Sequence, residues 1–257
     1  MKSRFLLAVL LIYQCFGGLS AEASGEARIA IAANFAKPAR ALKTEFLKNR
    51  TEKIAFVSGS TGKLTALISR GAPIDAFFAA DVESPLFLIA NGKGERRSLV
   101  VYALGQLVVW HRPRIWPCRP KEILAEDIPI AIANERLAPY GRAAIQTLNS
   151  LSISTDLFFR ADNVSQVFAY VKSGSAEVGF VAASDVVDRT GHCLWQVPAN
   201  YHDPIEQAAL LVTDNTVAKE FLAFVMSEDG QSMLADFGYA PGRKWQGRGR
   251  QYQGGQQ

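Results

Sequence analysis

The chain has 257 residues, 49% of them apolar and 20% charged, enough to bury a sizeable core and incompatible with a largely disordered protein. Its formal charge of +4 suits an anionic small ligand. No basic stripe is interleaved with aromatic residues, so the composition gives no footing for nucleic acid.

Residues 1–23 begin with Lys2 and Arg4, continue through the apolar stretch Phe5 to Phe16, and end in Ala21-Glu22-Ala23. This is the pattern of a cleaved secretory signal peptide. The stretch is shorter than the roughly 20 residues a spanning helix needs, and no later segment is long and uncharged enough to span. Cys15 follows Ile12-Tyr13-Gln14, bulkier than the residues that usually precede a lipidated cysteine, so a soluble periplasmic protein is expected. Cleavage after Ala23 removes two basic residues and one acidic one, which lowers the formal charge by one. It also leaves Cys118 and Cys193 as the remaining cysteines. An even number in an oxidising compartment permits a disulfide, with two buried thiols as the other reading.

From Arg28 onward, short β-rich runs alternate with amphipathic helical stretches, the pattern of an α/β fold with mainly parallel sheets. Strands are predicted at Arg28–Ala33, Lys53–Val57, Asp75–Ala79, Gln106–Trp110, Ile128–Ala133, Val178–Val181 and Gln207–Thr213. The first helix carries Phe35, Ala39, Leu42 and Phe46 on one face. Further helices are predicted at Thr61–Arg70, Val82–Asn91, Gly141–Leu151, Val164–Ser173, Ala183–Arg189 and Val217–Gly238, the last broken near Gly230. The strands at Gln106–Trp110 and Gln207–Thr213 divide the chain into a first block, a middle block and a return. The expected organisation is a leader at 1–23, a first lobe from 24–104 and 205–242, and a second lobe from 105–204. Crossings near 103–108 and 203–208 form a two-strand hinge. Past Tyr239 the chain turns rich in Gly, Gln and Arg without apolar period, and 243–257 is expected to be a disordered tail.

Two strand ends carry the chemistry of the first lobe. Ala33-Asn34-Phe35 passes straight from strand into helix, which places Asn34 at a predicted N-cap. Val57 leads into Ser58-Gly59-Ser60-Thr61-Gly62, where small residues allow close backbone approach and the hydroxyls of Ser60 and Thr61 add donors. The middle block supplies a matching pair at Ala138-Pro139-Tyr140-Gly141-Arg142 and Asp162-Asn163-Val164-Ser165. Helix amino termini gathered from both blocks would hold an oxyanion with neutral donors alone. Arg142 is then read as a solvated helix residue, and Asp81 as the cap of the helix that follows it.

The segments Ala32-Ala33-Asn34-Phe35, Ser58-Gly59-Ser60-Thr61-Gly62, Gly71-Ala72-Pro73-Ile74-Asp75-Ala76-Phe77-Phe78-Ala79-Ala80-Asp81 and Ala138-Pro139-Tyr140-Gly141-Arg142-Ala143-Ala144 resemble the periplasmic molybdate-binding proteins of ABC transporters. The resemblance runs from about Arg28 to Tyr239. It implies a two-lobed periplasmic-binding-protein-like fold, each lobe a mainly parallel sheet flanked by helices. It also implies molybdate or tungstate as ligand, delivery to an ABC permease, no cofactor and a monomer. Carried over, it places the anion against Asn34, Thr61, Tyr140 and Val164, the last through its backbone amide, with Ala33 and Ser60 beside them. Molybdenum would enter only as the oxyanion, without direct protein ligands. Some relatives place a Tyr where this chain has Ala182; this chain carries its Tyr at position 140.

An enzyme is the rival of a different class. Ser60-Thr61-Gly62-Lys63 matches the Ser-x-x-Lys pattern of acyl enzymes, but Ser184-Asp185 is followed by Val186 and the companion motifs are absent. The same stretch fails as a Walker loop. His111, His192 and His202 lack metal-ligand spacing and are read as surface residues. Trp110 and Trp116 are read as core or hinge packing. Sulfate or phosphate remains the alternative ligand, although a phosphate binder would want a carboxylate acceptor, and Asp162 is the one acid in the four loops.

Overall fold

The computed structural model describes residues 25–112, 117–126, 128–153, 157–189 and 191–243. The leader at 1–23, Trp116 and the tail from 244 onward lie outside them.

Strand β1 (Glu26–Ala32) is buried from Ile29 to its end and turns through a 3₁₀ segment, Ala33–Phe35, into α1 (Ala36–Phe46). Ala39, Leu42 and Phe46 line the buried face of α1 as their spacing predicts. The alternation continues through β2 (Lys53–Gly59), α2 (Thr61–Ser69), β3 (Ala76–Phe78) and α3 (Glu83–Ala90). The apolar run that follows holds two strands, β4 (Val100–Gly105) and β5 (Leu107–His111), of which sequence reasoning finds only the second. Beyond them come α4 (Pro120–Leu124), β6 (Ile130–Ala133), α5 (Pro139–Ser150), β7 (Phe158–Ala161), α6 (Val164–Ser173) and β8 (Val178–Ala182). Next are α7 (Ala183–Val186), β9 (Cys193–Gln196), β10 (Ile205–Leu211), α8 (Thr216–Val225), α9 (Glu228–Asp236) and β11 (Ala240–Arg243).

The strands form two sheets, in the orders β11-β4-β10-β3-β1-β2 and β7-β6-β8-β5-β9. The chain leaves the first sheet after Gly105, enters the second at Leu107, and returns between Gln196 and Ile205. Gly105 pairs with Ile205, so the two crossings run side by side. The sheets are mixed, not mainly parallel as the sequence suggests. β2 and β3 pair parallel with β1, but β10 runs antiparallel to both β3 and β4. The cause is directional: β4 carries the chain out of the first sheet and β10 carries it back. In the second sheet β6 pairs parallel with β7 and β8, while β5 is antiparallel to β8 and β9.

The structure refines three further expectations. The last helical stretch breaks near Gly230 as expected, at Ser227, whose hydroxyl caps α9 by accepting from Gly230 N–H. Gly230 is required for a different reason: a Cβ there would stand 2.2 Å from the Phe224 carbonyl oxygen at the end of α8. Ala240–Arg243, at the end of the returning first-lobe segment and where no strand is predicted, pairs with β4. Strand pairing uses backbone groups and needs no apolar period. Here Gly242 passes so close that a Cβ would lie 2.3 Å from the backbone of Val101 and Tyr102. His111, read as a surface residue, is buried at the end of β5, where desolvation lowers its pKa below the usual histidine value.

One core packs around the second sheet, and the first sheet is covered on both faces by separate apolar clusters. Ala32 and Ala80 of the first lobe belong to the core of the second, so the lobes are in packed contact. Trp110 is buried within that core. Cys118 and Cys193 are joined by a disulfide that ties the segment before α4 to β9.

Candidate functional site at the lobe seam

The carboxyl ends of β1 and β2 in one lobe meet those of β6, β7 and β8 in the other, the place where open α/β sheets bind ligands. Backbone and hydroxyl bonds hold the two sets together. Gly62 N–H donates to the Leu137 carbonyl at 2.9 Å, which sets the start of α2 against the loop before α5. Ser165 Oγ donates to Ala33 O at 3.0 Å and Ser184 Oγ to Asn34 O at 2.8 Å, which seats the 3₁₀ turn on α6 and α7. Phe35 anchors that turn from beneath, stacked 5.5 Å from Phe78 and tilted against Tyr102 at 4.8 Å.

All six residues predicted for the anion site are buried: Ala33, Asn34, Ser60, Thr61, Tyr140 and Val164. Their donors are not equivalent. Ser60 is the N-cap of α2, yet its hydroxyl makes no capping bond and has no hydrogen-bond partner among the described residues. Thr61 Oγ1 accepts from Ala80 N–H at 3.1 Å, which leaves its hydrogen to donate. Val164 is the first residue of α6, a position whose N–H has no acceptor within the helix, while Asn163 beside it caps the helix by accepting from Gln166 N–H. Tyr140 lies in the first turn of α5, where Pro139 at the start presets the backbone.

Asn34 departs from its predicted role. It sits inside the 3₁₀ turn, not at an N-cap. Its side-chain amide donates to Gln207 Oε1 at 2.8 Å and to the Tyr239 hydroxyl at 2.9 Å. Both amide hydrogens are therefore committed within the protein, and only the backbone of Asn34 remains for an anion. The cause is a buried polar network that sequence reasoning missed, comprising Tyr102, Ser184, Gln207 and Tyr239. The Tyr102 hydroxyl donates to Gln207 Oε1 at 2.8 Å, Gln207 Nε2 donates to the Tyr140 hydroxyl at 3.1 Å, and the Tyr239 hydroxyl donates to Asn34 O at 3.1 Å. The available signal was a polar side chain interrupting an apolar strand, Gln207 in β10.

Burial raises the pKa of Tyr102, Tyr140 and Tyr239 well above the usual phenol value. These hydroxyls keep their protons and remain donors. Asp185, whose charge is felt at Tyr140 and Tyr239, is raised to about 7 by burial, with the Lys37 ammonium offsetting part of the effect.

Ion pairs close the rim. Lys63 meets Asp162 at 2.5 Å, Lys37 meets Asp188 at 2.5 Å and Arg142 meets Asp81 at 2.8 Å, each joining one lobe to the other. Arg142 is thus a cross-lobe bridge where the sequence reads a solvated helix residue. Asp81 does cap the helix after it, accepting from Ser84 N–H at 3.0 Å with its other oxygen. The pairing of Lys63 with Asp162 takes the ammonium away from Ser60, so the Ser-x-x-Lys pattern assembles no nucleophile–base pair. It also engages the one acid of the four loops.

Residues 27–240 match the model of the bacterial extracellular solute-binding protein family. The chain belongs to this family. It is 31% identical to the molybdate-binding protein ModA of Rhodobacter capsulatus over 227 residues, covering 84% of this chain and 89% of that protein. It is also 31% identical to the molybdate-binding protein ModA of Azotobacter vinelandii, covering 91% and 98%. The solved structure of the Azotobacter vinelandii periplasmic molybdate-binding protein superposes with a TM-score of 0.78 at 30% identity, covering 83% of this solute-binding chain and 98% of that one.

Proposed function

We propose that this protein binds molybdate or tungstate in the periplasm, closing its lobes around the dianion, and delivers it to the permease of an ABC-type transporter. It does so as an exported monomer without a cofactor. The reading rests on kinship with molybdate-binding proteins and on one structural observation: the Ser60 hydroxyl is buried at the start of α2 with no partner among the described residues. A buried donor left unpaired costs about 1–3 kcal/mol, and an anionic acceptor bound there removes that cost.

The donor set supports a fully ionised anion. Ser60, Thr61 and Tyr140 offer hydroxyl hydrogens, the first turns of α2 and α6 offer amides, and the helix termini add partial positive charge. Asp162, the one acid of the four loops, is engaged by Lys63, so it is not a ready acceptor for a protonated anion such as hydrogen phosphate. Thermal shift of the mature chain with molybdate, tungstate, sulfate and phosphate tests the proposal. A ligand at a hundredfold excess over its Kd adds about 2.7 kcal/mol of stability. Shifts with molybdate and tungstate are expected. An equal shift with sulfate at the same concentration would remove the selectivity, and no shift with any of the four would remove the function.

A further inference from the structure

We propose that Gln207 is a positioning residue that, from across the lobe seam, makes the Tyr140 hydroxyl an anion donor. The inference rests on the oxyanion-binding reading above. Gln207 Oε1 accepts from two fixed donors, Asn34 Nδ2 and the Tyr102 hydroxyl, both at 2.8 Å. With the oxygen so engaged, the amide nitrogen faces Tyr140 and donates to its hydroxyl at 3.1 Å. A phenol that accepts from Gln207 must aim its own hydrogen elsewhere. The Asn34 side chain also hydrogen-bonds this phenol and, like Gln207, does so as a donor; no acceptor stands opposite the phenol hydrogen among the described residues, and burial keeps it from ionising.

Two backbone features exist around this contact. The pairing of β10 with β4 shifts register between Gln207 and Ala208, so that Gln207 faces Ala103, Ala208 faces Val101, and Tyr102 has no partner of its own. Such a bulge re-aims side chains, and here it brings Tyr102 and Gln207 together with Gln207 wholly buried. The second feature is Gly105, the last residue of β4 before the crossing. A Cβ at this position would lie 2.3 Å from the Tyr140 hydroxyl and 2.5 Å from Gln207 Nε2. The Tyr140–Gln207 contact passes directly over the hinge backbone, and only glycine leaves room for it.

Gln207 belongs to the first sheet and Tyr140 to α5 of the second lobe, so the contact joins the two lobes beside the crossings.

The test is molybdate affinity by calorimetry for the wild type, Gln207→Leu, Tyr140→Phe, the double variant and Gln207→Glu. Loss of the Tyr140 donor is expected to weaken binding roughly ten- to a hundredfold and loss of Gln207 by about tenfold. The double variant should bind no more weakly than Tyr140→Phe alone, because Gln207 acts through that hydroxyl. Gln207→Glu should bind poorly at pH 8, where an ionised carboxylate takes the tyrosine hydrogen for itself. It should recover at pH 5, where a protonated carboxyl can donate to the phenol oxygen as the amide does. Wild-type affinity should not show this recovery. Additive losses in the double variant, or Gln207→Leu binding as tightly as wild type, would overturn the proposal and leave Gln207 a packing residue. Failure of the wild type to bind molybdate would instead strike the function proposed above.

Discussion

Arg142 on α5 and Asp81 ahead of α3 form an ion pair across the seam, 2.8 Å apart, with the carboxylate nearly buried and the guanidinium about half exposed. Asp81 divides its oxygens between this pair and the Ser84 amide. Removing Arg142 therefore leaves a carboxylate that is still hydrogen-bonded. Partly exposed pairs contribute about 0–1 kcal/mol, so Arg142→Ala is expected to weaken anion binding by no more than roughly fivefold. The loss should shrink at high salt, where surface pairs are screened. Calorimetry at two ionic strengths measures it. A loss exceeding that of Ser60→Ala would mean that a formal charge, not neutral donors, holds the anion.

Ser60→Ala separates function from stability more cleanly than any other substitution here. The hydroxyl it removes has no partner among the described residues, so the ligand-free variant should be as stable as the wild type or slightly more so. Affinity for molybdate should nevertheless fall by about tenfold or more, the value of one hydrogen bond to a charged group. Thr61→Ala should show a different signature. Its oxygen accepts the Ala80 amide, so both ligand-free stability and affinity should drop. Denaturant midpoints with and without ligand distinguish the two patterns.

These contrasts also mark what the sequence can carry. Ser60, Thr61 and Val164 of the candidate site stand out in the sequence because a short strand leads straight into a helix at each, a local pattern of a few residues. Helix α6 is predicted to the residue for a similar reason, since Asn163 and Gly174 signal its two ends. Asn34 defeats that kind of reading because its side chain answers to a partner 173 residues away. A cap is a local inference, whereas the local signal at Gln207, a polar residue in an apolar strand, does not say what it meets. Gln207 itself looks like an ordinary polar position in a strand; the bulge that turns it inward is a property of how β10 pairs with β4. The mixed sheets escape for the same reason, because strand direction depends on where the returning chain enters.

The disulfide between Cys118 and Cys193 closes a loop across 75 positions of sequence. In the chain-entropy account a loop of this length contributes about 4.5 kcal/mol by restricting the unfolded chain. Reductant should therefore lower the melting temperature of the oxidised protein, and Cys118→Ser should match the reduced wild type. Molybdate affinity should change little, since neither cysteine is among the residues at the seam. Thiol counting on unreduced protein provides the direct check: two free thiols after export to an oxidising compartment would contradict the bond.

Asp185, next to the seam hydroxyl of Ser184, gives the protein a predictable response to pH. Burial raises its pKa to about 7 from the ordinary aspartate value of 3.8, against the partial opposition of Lys37, and its Oδ2 is buried without a partner among the described residues. A folded-state pKa above the unfolded one means that the folded protein holds the proton more tightly. The resulting stabilisation is complete below about 3.8, declines as pH rises, and is lost above about 7, where the buried carboxylate is ionised. Asp185→Asn, neutral at every pH, should gain on the wild type across that window and hold a constant advantage above it. A tenfold difference in proton affinity corresponds to about 1.4 kcal/mol, and discounting for the partial exposure of this residue leaves an expected total of ~2 kcal/mol. Urea midpoints at pH 4, 5.5, 7 and 8.5 trace the curve. A bound dianion near Tyr140 would raise this pKa further, so molybdate binding at pH 7 to 8 should take up a fraction of a proton in the wild type and less in Asp185→Asn. Calorimetry in two buffers of different ionisation enthalpy reads that uptake. A stability difference between wild type and Asp185→Asn that does not vary with pH would put the carboxylate in solvent and remove both effects.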